Sequence, residues 1–145
     1  MKTSEMRLAD FLVNHYLKKK VGVVSSKEII KFINTNIDKI NEKLNIDIKS
    51  INDVKLREII NYIRKEKISR HGELLSNSKG YFLSTDKEEI LNYLEAWQDR
   101  ILSQQIAIRS MNERASNYKS KRGVESVKVN YKDRKPTEGD LFESL

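Results

Sequence analysis

At 145 residues and 38% hydrophobic composition, the chain holds apolar material for one ordinary core and too little for two. Its mean hydropathy of -0.65 and the lack of any apolar run near the roughly 18–20 residues that span a bilayer exclude a membrane helix. The absence of cysteine excludes disulfides and thiolate metal sites. A net charge of +7 favours acidic partners such as nucleic acid.

The N-terminus is mixed polar and apolar, unlike a signal peptide, so a cytoplasmic protein is expected. Residues 4–19 place Leu8, Leu12, Val13, Tyr16 and Leu17 at helical spacing, and three lysines before Gly22 suit a helix C-terminus. Val23 and Val24 leave room for a short strand only. Ser25 with Glu28 forms a capping box that opens a second helix, whose stripe of Ile29, Ile33, Ile37, Ile40 and Leu44 runs to about residue 45. A turn is expected over residues 45–51, with Ser50, Asn52 and Asp53 as successive cap candidates.

A third helix is predicted over residues 54–67, its buried face formed by Leu56, Ile59, Ile60 and Ile63. Two strand-like segments, residues 73–76 and 81–85, flank the turn composition Asn77-Ser78-Lys79-Gly80 and predict a β-hairpin. Thr85 with Glu88 makes a second capping box, and the helix after it runs to about Ser116 without proline or glycine. Its ridge of Ile90, Leu94, Trp97, Ile101, Gln104, Ile108 and Met111 alternates steps of four and three, a heptad pattern that either packs on the preceding domain or pairs with a second copy as a homodimer. Trp97 reads as an anchor on that ridge.

The expected fold is therefore mainly α with a small β-hairpin. It is a winged helix-turn-helix over residues 1–85, a closing or dimerising helix over 86–116, and a flexible tail over 117–145. Charge follows this division. Residues 1–85 carry 17 Lys and Arg against 10 Asp and Glu, residues 86–116 carry 4 against 6, and residues 117–135 carry 7 against 2. The last ten residues hold only acidic charges, Glu138, Asp140 and Glu143.

A winged helix lays its third helix in the major groove of duplex DNA. Lys55, Arg57, Asn61, Tyr62 and Lys65 then become candidates for bases and phosphates, with Lys79 at the wing tip and Arg70 and His71 at the wing base. The rival reading of these charges is a solvated helix face, and Glu58 among them would repel phosphate. There is no Gly-rich phosphate loop, nucleophile elbow or histidine cluster, so neither an enzyme nor a bound cofactor or metal is expected.

The run LREIINYIRKEKI, followed by LLSNSKGYFLSTDKEEILNYLEAWQDRI, resembles small winged-helix proteins of bacteriophages over about residues 23–115. That resemblance implies a recognition helix leading into a wing and a closing helix, with residues 34–50 longer than the usual turn. Glu138-Gly139-Asp140-Leu141-Phe142 is similar to the bacterial sliding-clamp-binding pentapeptide, although Glu138 stands where glutamine is usual. The similarity implies Asp140, Leu141 and Phe142 as contacts to a host clamp, which makes a protein-interaction adaptor the alternative to a DNA-binding protein.

Overall fold

The computed structural model describes residues 2–121 and residue 123. The chain divides into two units, Met1–Ile90 and Leu91–Leu145. The described residues are mainly helical with a small antiparallel sheet.

In the first unit, α1 (Thr3–Phe11) continues without interruption into a π-wound segment, Leu12–Tyr16, and a 3-10 turn, Leu17–Lys19. The predicted helix is present, but its winding changes midway without a proline or glycine to mark the place. The wider segment contains Asn14, which is only 2% exposed and fully engaged. Its Nδ2 donates to Asp10 Oδ1 at 2.9 Å and to the Ile68 carbonyl at 2.8 Å, while its Oδ1 accepts from the Arg70 backbone N–H at 2.8 Å. This one side chain fastens the first helix to the loop after the fourth.

The second predicted helix is two helices, α2 (Ser26–Thr35) and α3 (Ile37–Leu44). Ser25 caps α2 as expected, accepting from Glu28 N–H at 3.2 Å. The break falls at Asn36, whose side-chain amide donates to the Phe32 carbonyl at 2.8 Å and competes for an acceptor that the helix would otherwise use alone. The isoleucine stripe continues across it, so hydrophobic spacing gave no sign of the break.

The predicted turn after residue 44 is an extended strap. Asn45 ends α3 in the left-handed region, at φ 53°. Asn34 and Asn41, two helical turns apart, then grip the strap as backbone mimics. Asn41 exchanges both hydrogen bonds with Ile48, at 2.8 and 3.1 Å, and Asn34 both with Ile51, at 3.0 and 2.8 Å. Arg7 of α1 donates to the carbonyls of Leu44 and Asn45, satisfying acceptors that the end of α3 leaves open.

Helix α4 (Asp53–Lys65) starts at Asn52, the middle of the three cap candidates, whose Oδ1 accepts from Lys55 N–H at 2.9 Å. Its buried side is the predicted Leu56, Ile59, Ile60 and Ile63, which join Leu8, Leu12, Val13, Ile29 and Ile33 in one core. Strands β1 (Glu73–Asn77) and β2 (Gly80–Ser84) form the predicted hairpin, closed by Ser78-Lys79, with Lys79 N–H bound to Asn77 Oδ1 at 2.8 Å. Val24 adds a single antiparallel bridge to the outer edge of β2, exchanging two 2.8 Å hydrogen bonds with Tyr81. This is the short strand that Val23 and Val24 predict.

Gly80 makes that close approach feasible. A Cβ at this position would collide with the Val24 carbonyl oxygen and come within 2.7 Å of Ser25 Cα, and φ there is 147°. Gly80→Ala is expected to destabilise the first unit by roughly 2–3 kcal/mol, from strain and loss of the bridge. Urea denaturation checks this, and a midpoint equal to that of the parent chain would contradict it.

Helix α5 (Lys87–Ala115) is capped by Asp86 and not by Thr85, because Asp86 Oδ1 accepts from Glu88 N–H at 3.0 Å. No residue of α5 is buried, and Leu94, Ile101, Ile108 and Met111 of the predicted ridge are exposed. No helix among the described residues is long and apolar enough to cross a membrane.

Candidate nucleic-acid interface

Four apolar residues occupy one side of α4, and helical geometry turns Val54, Glu58, Asn61 and Lys65 toward the opposite side, with Arg57 beside them. All five are exposed. Val54 is 57% exposed, a methyl-bearing side chain in the first turn of the helix. Sequence reading passed over it, although its position across from the buried stripe was the available signal.

The N-terminal half of α4 borders a cleft of two adjoining hollows, with the start of α2 and the hairpin turn. Ser26, Asp53 and Tyr81 line both, Arg57 lines only the first, and Lys27 and Lys79 line only the second. Arg57 Nε also donates to the Asp53 carbonyl at 3.4 Å, a long bond that leaves most of the guanidinium for other partners. Asp53 suits a helix N-terminus electrostatically and is the one acidic side chain of this cleft.

Polar contacts hold the hairpin in place beside α4. Besides the Val24 bridge, Arg64 donates to the Leu74 carbonyl at 2.9 Å and to Ser76 Oγ at 3.3 Å, and its guanidinium lies 6.0 Å from the centre of the Tyr81 ring. Arg64 thus fixes the hairpin to the helix, a role that its charge alone did not suggest. Lys79, at the turn, is exposed.

The other predicted contacts separate into different places. Lys55 faces α1, with Nζ 2.8 Å from Glu5 and 3.2 Å from Glu58, so two carboxylates already compensate its charge. Tyr62 is half-buried against the core. Arg70 is not among the cleft residues; it pairs with Asp10 at 3.2 Å near the first helix. His71 is held below the usual histidine range by desolvation, then by the charges of Lys18, Arg70 and His15, which disfavour its charged form. Asp140, Leu141 and Phe142, the predicted clamp contacts, lie outside the described residues.

The Lys55 hydrogen bond, with a smaller opposing effect of burial, holds the Glu5 carboxyl below the usual glutamate range. A depressed folded-state pKa contributes stability that is fully present above the unfolded value of about 4.3 and is lost as pH falls through the folded value. Glu5→Gln is therefore expected to flatten the acid limb of the Tm-against-pH profile. A parallel profile with the same acid slope would show that the pair contributes nothing.

Comparison of the chain with protein-family models, with curated proteins and with solved structures yields no match.

Proposed function

We propose that the first unit is a winged-helix DNA-binding domain, with α4 as the recognition helix and the β1–β2 hairpin as the wing. The observation that carries this reading is the placement of Arg57, Asn61 and Lys65 on the exposed side of α4, with Lys79 held on the neighbouring hairpin turn. In a major groove Arg57 suits the acceptors of guanine, Asn61 the paired donor and acceptor of adenine, and Val54 the methyl group of thymine. Lys65, Lys79 and Lys27 need only reach phosphate. Asp53 and Glu58 oppose uniform attraction and favour alignments in which both lie away from the backbone. The function is recognition without chemistry, in the control of replication or transcription.

The test is fluorescence anisotropy with a labelled random-sequence duplex across a salt series. The proposal expects log affinity to fall linearly with log salt, with a slope set by the number of phosphates contacted. Absence of duplex binding at low ionic strength would overturn it. Single-stranded DNA and duplex RNA in the same series identify the preferred nucleic acid.

A further inference from the structure

We propose that α5 pairs with α5 of a second copy of this chain as an antiparallel homodimer. The heptad positions Leu94, Ile101, Ile108 and Met111 are 42%, 43%, 51% and 63% exposed, so a single chain leaves this ridge in contact with solvent. An apolar line at this period, interrupted at Gln104, is suited to a facing helix with the same period.

Both bulk and charge select an antiparallel second copy. With Ile101 opposite Gln104 of the second copy, Trp97 meets Ile108 and Leu94 meets Met111, so the one bulky ring of the ridge sits against a smaller aliphatic side chain. Parallel alignment would put Trp97 against Trp97 and Gln104 against Gln104. In the antiparallel register the flanks match Gln98 with Gln105 and Tyr93 with Arg114, so no like charges oppose each other across the seam.

Residues 87–100 carry Lys87 and Arg100 against Glu88, Glu89, Glu95 and Asp99, a net -2, whereas residues 101–115 carry Arg109 and Arg114 against Glu113, a net +1. Antiparallel pairing lays each acidic half along a basic half and opposes the helix dipoles. The pairing is isologous and closes at two copies. Resting on the DNA-binding reading, it also places two first units in one assembly. Their Lys87 ends are separated by roughly the 40 Å length of the helix, on the order of one duplex turn.

The test uses the full chain and needs no DNA, so it fails or succeeds apart from that reading. Sedimentation equilibrium up to about 100 µM is expected to give twice the single-chain mass of 17.0 kDa. The pair Ile101→Glu and Ile108→Glu is expected to give the single-chain mass with an unchanged unfolding transition of the first unit. The cysteine-free sequence permits a direct test of direction. Leu94→Cys mixed with Met111→Cys should form mixed disulfide dimers, whereas Leu94→Cys alone should not. A parent chain that stays monomeric, as it would if residues 124–145 covered the ridge, overturns the proposal. A glutamate variant that remains dimeric, or Leu94→Cys cross-linking to itself, does so as well.

Discussion

Charge reversal at Arg57, Lys65 and Lys79 together is expected to weaken duplex binding by about two to three orders of magnitude near 0.1 M salt and to lower the salt slope by about 1.8, from the two phosphate contacts of Lys65 and Lys79. Each lost phosphate contact releases one fewer condensed counterion, and the three cations are exposed with no ion pair among the described contacts. Lys55→Met serves as the control. Because Glu5 and Glu58 already compensate Lys55, its removal should leave the slope nearly unchanged while altering acid stability. Equal losses from Lys55→Met and from the triple variant would mean that α4 meets nucleic acid by its other side, or not at all. Asn61→Ala and Val54→Ala should change preference among duplex sequences more than average affinity, since neither side chain carries charge.

The largest stability loss from one polar substitution is expected at Asn14. In Asn14→Leu, the Ile68 carbonyl and the Arg70 N–H lose their buried partner, and each orphaned group costs about 1–3 kcal/mol. A loss of about 3 kcal/mol in a unit of this size lowers Tm by roughly 10–20 °C. The affected link joins the first helix to the loop that leads from α4 into the hairpin, so protection of the Arg70 amide from hydrogen exchange should fall most. A Tm within about 3 °C of the parent would show that the cluster is satisfied by other means. At temperatures where the variant stays folded, the salt slope of DNA binding should be unchanged, because Asn14 does not line the proposed interface.

The core was legible in the sequence. Each of the apolar stripes Leu8–Leu12–Val13, Ile29–Ile33 and Leu56–Ile59–Ile60–Ile63 occupies the buried side of its helix, and the turn residues before Gly80 located the hairpin. Burial of apolar area depends on spacing, and spacing is written locally. The break at Asn36 and the strap over residues 46–52 were not legible. Both depend on asparagine side chains whose partners are backbone groups, and an asparagine in a sequence carries no sign of which carbonyl it will meet.

The same division runs through the candidate site. The sequence by itself determined that the chain is basic, that α4 presents polar residues opposite its apolar side, and that a short hairpin with a lysine at its turn follows. Only the tertiary structure decided how those cations are used. Lys55 is drawn to Glu5, fifty residues earlier, Arg64 is committed to the hairpin backbone, and Arg57 and Lys79 line adjoining hollows that share Ser26, Asp53 and Tyr81. Periodicity assigns a residue to a side of its own helix, whereas the partner of a long, charged side chain is set by whichever distant segment folding brings within about 3 Å.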